Sequence, residues 1–187
     1  FTLDENSSVH TVVGTIVASD PDANEILRYA ITAGNEGGAF TIDAVSGIVT
    51  VTGGLDFESL ANSALTVRVN DSGLLSDTAT VSIGLNDLNE APTADDQDFS
   101  VDENVSAGTV VGTVVASDQD AGEVLSYAIT EGNTGGAFAI DAGSGEITVQ
   151  GTLNFESAAN YILTVSVTDS DLLSDTVAVN IGLTDIN

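Results

Sequence analysis

The stretch DENSSVHTVVGTIVASDPDA, Asp4 to Ala23, returns as DENVSAGTVVGTVVASDQDA, Asp102 to Ala121. The offset of 98 residues between Asp4 and Asp102 holds through the chain: YAITAGNEGGAF from Tyr29 matches YAITEGNTGGAF from Tyr127, LDFES from Leu55 matches LNFES from Leu153, and LLSDT recurs at Leu74 and Leu172. Self-similarity at a fixed period is the mark of a repeated module. We therefore expect two domains, 1–90 and 91–187, joined near NDLNEAPTADDQD, where alternation stops and Pro92 sits among polar residues.

Within a module the apolar period is two. Leu27, Tyr29 and Ile31 fall on one face, as do Leu65, Val67 and Val69, then Val81, Ile83 and Leu85, while Arg28, Arg68 and Ser82 point the other way. These runs are rich in Val, Ile and Thr and are bounded by turn clusters such as AGNEGG. Strands are expected near 1–5, 12–19, 26–33, 39–43, 47–52, 64–70 and 77–86, which suits an all-β, seven-stranded Greek-key sandwich of immunoglobulin-like type in each module.

Charge excludes several functions. The 187 residues carry 29 Asp+Glu against 2 Lys+Arg, a formal charge of -27. Arg28 and Arg68 cannot supply the basic surface that nucleic acid requires, and anionic lipid is equally ill served. Yet 42% of residues are hydrophobic, enough to build cores, so the chain should fold rather than stay disordered. There is no Cys for a disulfide framework and no apolar run long enough to span a membrane, so no direct membrane insertion is expected. Phe1 opens inside what reads as a strand, as expected of a fragment.

The acids recur in clusters at strand ends: DEN, ASDPD, LDFE, the late Asp71 of VRVNDSG, and DLNE at the joint. A hard cation is held by several oxygens on short, anchored side chains, and this spacing offers them. In order and type the motifs resemble two consecutive cadherin-type repeats, of the bacterial sort found in large surface, anchored and secreted proteins. The resemblance implies Ca²⁺ at the linker, with about three ions expected. Carried over residue by residue, Glu5, Asp56 and Glu58 come from the first repeat and Asp87, the Leu88 carbonyl, Asn89 and Glu90 from the linker. Asp118, Asp120, Gly122 and Asp169 come from the second repeat. Eight of these are carboxylates, whose mutual repulsion bound cations would offset. Partial outer sites are implied at Asp20, Asp22, Asn24 and Asp71, and at Glu103, Asn154, Glu156, Asp185 and Asn187. DLNEAP is one residue shorter than the family's linker pattern and carries Glu90 for its second Asp, while neutral Asn154 replaces the acid seen at Asp56.

Other readings are weaker. ASDPDAN lacks the Gly and the twelfth-position Glu of an EF-hand loop. Paired carboxylates for glycoside hydrolysis would need a cleft for which there is no insertion, and His10 becomes Gly108 in the second module, so no enzyme is expected. Asp43, Asp77, Asp141 and Asp175 read as solvated surface, and Tyr161, opposite Ser63, as a possible ligand platform. The expected function is a calcium-stiffened extracellular adhesion module, at the cell surface or secreted, whose partners are other cadherin-like repeats or a surface protein. Polysaccharide binding and passive extension of a large adhesin are the alternatives.

Overall fold

A computed structural model describes residues 1–22 and 24–186. The chain divides into two compact units, Phe1–Leu88 and Asn89–Asn187. Unit 1 contains β1 (Thr2–Asp4), β2 (Val12–Thr15), β3 (Arg28–Ala33), β4 (Phe40–Ile42), β5 (Ile48–Val51), α1 (Phe57–Leu60), β6 (Asn62–Asn70) and β7 (Ser76–Asn86). Unit 2 repeats them as β8 (Gln97–Asp102), β9 (Val110–Thr113), β10 (Ser126–Glu131), β11 (Phe138–Ile140), β12 (Glu146–Val149), β13 (Asn160–Thr168) and β14 (Ser174–Thr184). All seven expected strands of the first module are present, several shorter than the alternation suggested.

Each unit is a sandwich of a four-stranded sheet on a three-stranded one: β1-β7-β6-β3 over β2-β5-β4, and β8-β14-β13-β10 over β9-β12-β11. The first strand of each unit runs parallel to the last, β1 with β7 and β8 with β14, and the remaining pairs are antiparallel. Period-two patterning decides which face is buried. Leu65, Val67 and Ile83 are fully buried with Val49 and Val51, whereas Arg28, Arg68 and Ser82 are exposed. In unit 2 Leu163, Val165, Val167, Val179 and Ile181 close over Phe138. Tyr161 is half-buried and meets Phe138 edge-on, ring centres 5.1 Å apart at 85°, so it is a packing residue rather than a ligand platform.

The glycine-rich AGNEGGAF and EGNTGGAF segments are turn chemistry. Asn133 donates through Nδ2 to the Phe138 carbonyl at 2.8 Å and accepts from the Phe138 N–H at 3.1 Å, and Asn35 does the same for Phe40. Gly132 sits at φ +81°, where a Cβ would strike the Ile162 carbonyl, so the turn that follows β10 admits no side chain there.

Candidate metal centres

β7 is eleven residues long, about 33 Å at the usual rise per residue. Asp71 lies before its start and Asp87 after its end, so the acid clusters of a unit occupy opposite poles of the sandwich.

At the far pole of unit 1, Glu5 follows β1 directly and is 2% exposed. Its Oε2 accepts the Phe57 N–H at 2.7 Å and its Oε1 the Leu88 N–H at 2.8 Å. The turn after Glu5 has Asn6 at φ 54°, with its N–H on the Leu55 carbonyl. Asp56 caps α1, accepting from the Ser59 N–H at 3.0 Å and the Ser59 hydroxyl at 2.9 Å. Those two bonds, the N–H first, hold its carboxyl below the ordinary aspartate range. Glu58, one residue into α1, and Asp87 bring oxygens within 4.8 Å of one another and of Glu5. Three predicted ligands thus converge at this pole, while Asp56 serves the helix start beside them.

The near pole of unit 2 is built from the chain entering it. Asn89 donates from Nδ2 to Asp169 Oδ2 at 2.8 Å, and the Glu90 N–H donates to Asp120 Oδ2 at 2.8 Å. Asp118 Oδ1 accepts the Asp120 N–H at 3.0 Å, and Asp169, 4% exposed, accepts the Leu173 N–H at 2.8 Å. Asp118 Oδ2 is buried and has no hydrogen-bond partner. Buried carboxylate oxygens are rarely left so. Gly122 sits at φ +95° and its counterpart Asn24 at φ 67°, so Gly suits a left-handed position that Asn tolerates.

The outer poles repeat these patterns. Asp20 Oδ1 accepts the Asp22 N–H and Asp71 Oδ1 the Leu75 N–H, both at 2.8 Å. Glu103, 5% exposed, accepts the Phe155 N–H at 2.9 Å and the Ile186 N–H at 3.1 Å, which lowers its pKa, the Phe155 bond more strongly. Glu103, Glu156 and Asp185 bring oxygens within 4.8 Å of one another. Asn154 accepts the Ser157 N–H at 2.8 Å, as Asp56 does for Ser59. Asn187 lies outside the described residues.

Sequence reading missed several acids. Glu25 Oε2 accepts the Ser72 hydroxyl at 2.6 Å and its N–H at 3.1 Å, and Glu123 repeats the arrangement on Ser170. Each ties the loop after one ligand pair to the loop behind the late Asp. The bond from the Ser72 hydroxyl, then that from its N–H, lowers the Glu25 pKa. Asp43 and Asp141 are exposed as expected but are not merely solvated. Each gathers two N–H groups and a serine hydroxyl of its own turn. Asp175 is half-buried and accepts the Ala94 N–H at 3.1 Å.

Among the described residues, the candidate ligands at these poles offer oxygen atoms of carboxylates and Asn amides. That set suits a hard divalent cation such as Ca²⁺, with Asp118 Oδ2 supplying an acceptor that no protein donor satisfies.

Two tandem Greek-key sandwiches with oxygen-rich poles define a class of extracellular repeat module. The chain belongs to the cadherin domain family, whose profile matches residues 1–86 and 97–184. It is 37% identical over 98% of its length to the protocadherin-like wing polarity protein stan of Drosophila melanogaster, covering 6% of that protein. It is 36% identical over its whole length to human protocadherin Fat 1, covering 4% of that protein. Among solved structures it resembles mouse cadherin-23 EC22-24, with TM-score 0.69 and 29% identity over 100% of this chain and 62% of that one. Human protocadherin-24 EC1-2 shares the fold, with TM-score 0.75 and 24% identity over 100% of this chain and 94% of that one. The chain is thus a small part of the length of the curated relatives it matches. Cadherin repeats are modules of adhesion proteins and lie outside the cell or on its surface. No helix among the described residues is long and apolar enough to cross a membrane.

Proposed function

We propose that this chain is a calcium-dependent, non-enzymatic adhesion module of a bacterial surface or secreted protein. The observation that carries the calcium reading is the buried, unpartnered Asp118 Oδ2 beside acids already held in place by main-chain N–H groups. Glu5, Asp56, Glu58, Asp87 and the Leu88 carbonyl serve the ion from the first repeat, 1–90. Asn89 and Glu90 follow along the unbroken chain, with Asp118, Asp120, Gly122 and Asp169 completing the set in the second repeat, 91–187. A bound divalent cation supplies charge neutralisation only. The protein's part is to hold the carboxylates ready, so that little ordering remains when the ion arrives. About three ions at the linker and weaker binding by the outer sets follow from the family resemblance. The bacterial source rests on the kind of repeat that the motifs resemble.

Adhesion through other cadherin-type repeats or a surface protein is preferred to polysaccharide binding, because Tyr161 is spent on packing against Phe138. The test is thermal unfolding and sedimentation in calcium and in EDTA. A ligand that binds only the folded state at about 100 times its Kd adds about 2.7 kcal/mol per site, so calcium should raise the unfolding temperature and promote self-association or capture of a surface partner. Identical melting curves in the two buffers would overturn the calcium reading, and calcium-dependent retention on an insoluble glycan would overturn adhesion in favour of sugar binding.

A further inference from the structure

The sequence has two Lys+Arg residues, Arg28 and Arg68, and the fold puts them side by side. β3 and β6 pair with Arg28 opposite Asn70 and Ala30 opposite Arg68. The two arginines are therefore diagonal neighbours, about 7–8 Å apart, on the outer face of the four-stranded sheet of unit 1. Both are exposed. Like charges at that distance repel. Among the described residues neither guanidinium pairs with a carboxylate, and the pull of Arg28 on Asp43 comes last, after the Ser46 N–H and hydroxyl and the Val45 N–H.

The second repeat shows that the fold does not need them. Ser126 and Ser166 hold the same diagonal relation, Ser126 opposite Thr168 and Ala128 opposite Ser166, in a sheet of the same order. The surface around the arginines is neutral. The outer positions Ala30, Thr66, Asn70, Thr78, Thr80 and Ser82 of β3, β6 and β7 hold no acid in a chain that has 29 Asp+Glu. At physiological salt, charges beyond about 8 Å are largely screened. A partner approaching this face thus meets the two arginines rather than the formal charge of -27.

Unit 2 carries a pair of acids at a matching spacing. Asp96 and Asp98 are exposed and two residues apart, about 7 Å along an extended chain. Asp96 Oδ1 accepts the Ala178 N–H and Asp98 Oδ1 accepts from Asn180 Nδ2, each at 2.9 Å. Those bonds fix both carboxylates against β14 and leave the second oxygen of each to a donor from outside. Guanidinium suits that donor, since its planar fork grips a carboxylate through parallel N–H groups.

We infer that the outer face of the four-stranded sheet in unit 1 is a docking surface for unit 2 of a second copy of this chain, with Arg28 and Arg68 receiving the carboxylates of Asp96 and Asp98. The inference rests on the adhesion reading and names its partner. Every copy brings both the cations and the acids, so the contact is made between identical chains.

The test is sedimentation equilibrium of the full chain in calcium, with two double variants. Arg28→Ser with Arg68→Ser installs the residues that unit 2 already tolerates, and Asp96→Asn with Asp98→Asn removes charge while keeping both acceptor oxygens. Each should weaken self-association by about tenfold or more, and raising salt from about 0.1 M to about 1 M should weaken that of the parent chain. A mixture of the two variants should associate where neither does alone, because one keeps the arginines and the other the acids. Undiminished association of either variant, or a mixture that stays monomeric, would overturn the inference. So would a monomeric parent chain retained through these arginines on an acidic polysaccharide. A monomeric parent chain that still captures a surface protein would overturn this docking surface and leave the adhesion reading standing.

Discussion

Replacing Glu5 with Ala tests how the far pole of unit 1 is held together. The carboxylate receives two main-chain N–H groups, Phe57 at 2.7 Å and Leu88 at 2.8 Å. A hydrogen bond to a charged group contributes about 1.5–3 kcal/mol. Leu88 is 40% exposed, so water can take over its N–H, and most of the cost falls on Phe57, about 2–3 kcal/mol in all. Repulsion works the other way. Glu5 has oxygens within 4.8 Å of those of Glu58 and Asp87. Glu58 and Asp87 are exposed, so at a water-like dielectric each pair costs about 0.9 kcal/mol, and salt screens little of it because Glu5 itself is buried, leaving about 1.8 kcal/mol for both. The hydrogen bonds win narrowly, so Glu5→Ala should destabilise the metal-free protein by about 0.5–1 kcal/mol. In calcium the loss should be larger, because the variant gives up a ligand as well as an acceptor. Urea unfolding of both proteins in EDTA and in calcium measures the four free energies. An equal loss in the two buffers would reduce Glu5 to a main-chain acceptor and refute its role as a ligand. A variant more stable than the parent in EDTA would refute the ordering of hydrogen bonding over repulsion.

Two acids of unit 2 should separate by role: Asp120→Ala should weaken calcium binding by about tenfold or more, while Asp175→Ala should lower stability by freeing the Ala94 N–H and leave calcium affinity unchanged. Titration calorimetry with calcium distinguishes them, and equal losses of affinity would refute the ligand assignment. The acid limb of stability should depend on Asp43 and Asp141, whose pKa values lie below 3.8 chiefly through the N–H groups of Ser46 and Ser144, then the serine hydroxyls. A lowered folded pKa stabilises above the unfolded value and ceases to do so as pH falls through the folded one. Asp43→Asn with Asp141→Asn should therefore flatten the loss of stability below about pH 4, followed by urea midpoints across an acid series.

The strands were readable because burial on one face imposes alternation, and Leu65-Val67 and Val81-Ile83 show it without interruption. The convergence of the acid-bearing turns was readable from motif order, since Glu5, Glu58 and Asp87 do meet at one pole. What escaped was the partner of each remaining acid. Glu25 finds Ser72 and Glu123 finds Ser170, each 47 residues away, and Asp175 finds Ala94 at a separation of 81. Side-chain type says that a carboxylate will accept hydrogen bonds, but only the fold decides whose. Asp56 shows the same limit on a short scale. Its motif marks a ligand, yet its immediate work is to start α1.

Each unit carries its acceptors at both ends of an eleven-residue closing strand and arms them with its own main chain. A gain or loss of one whole repeat by recombination therefore leaves each remaining copy with acids held by main-chain N–H groups at both of its poles.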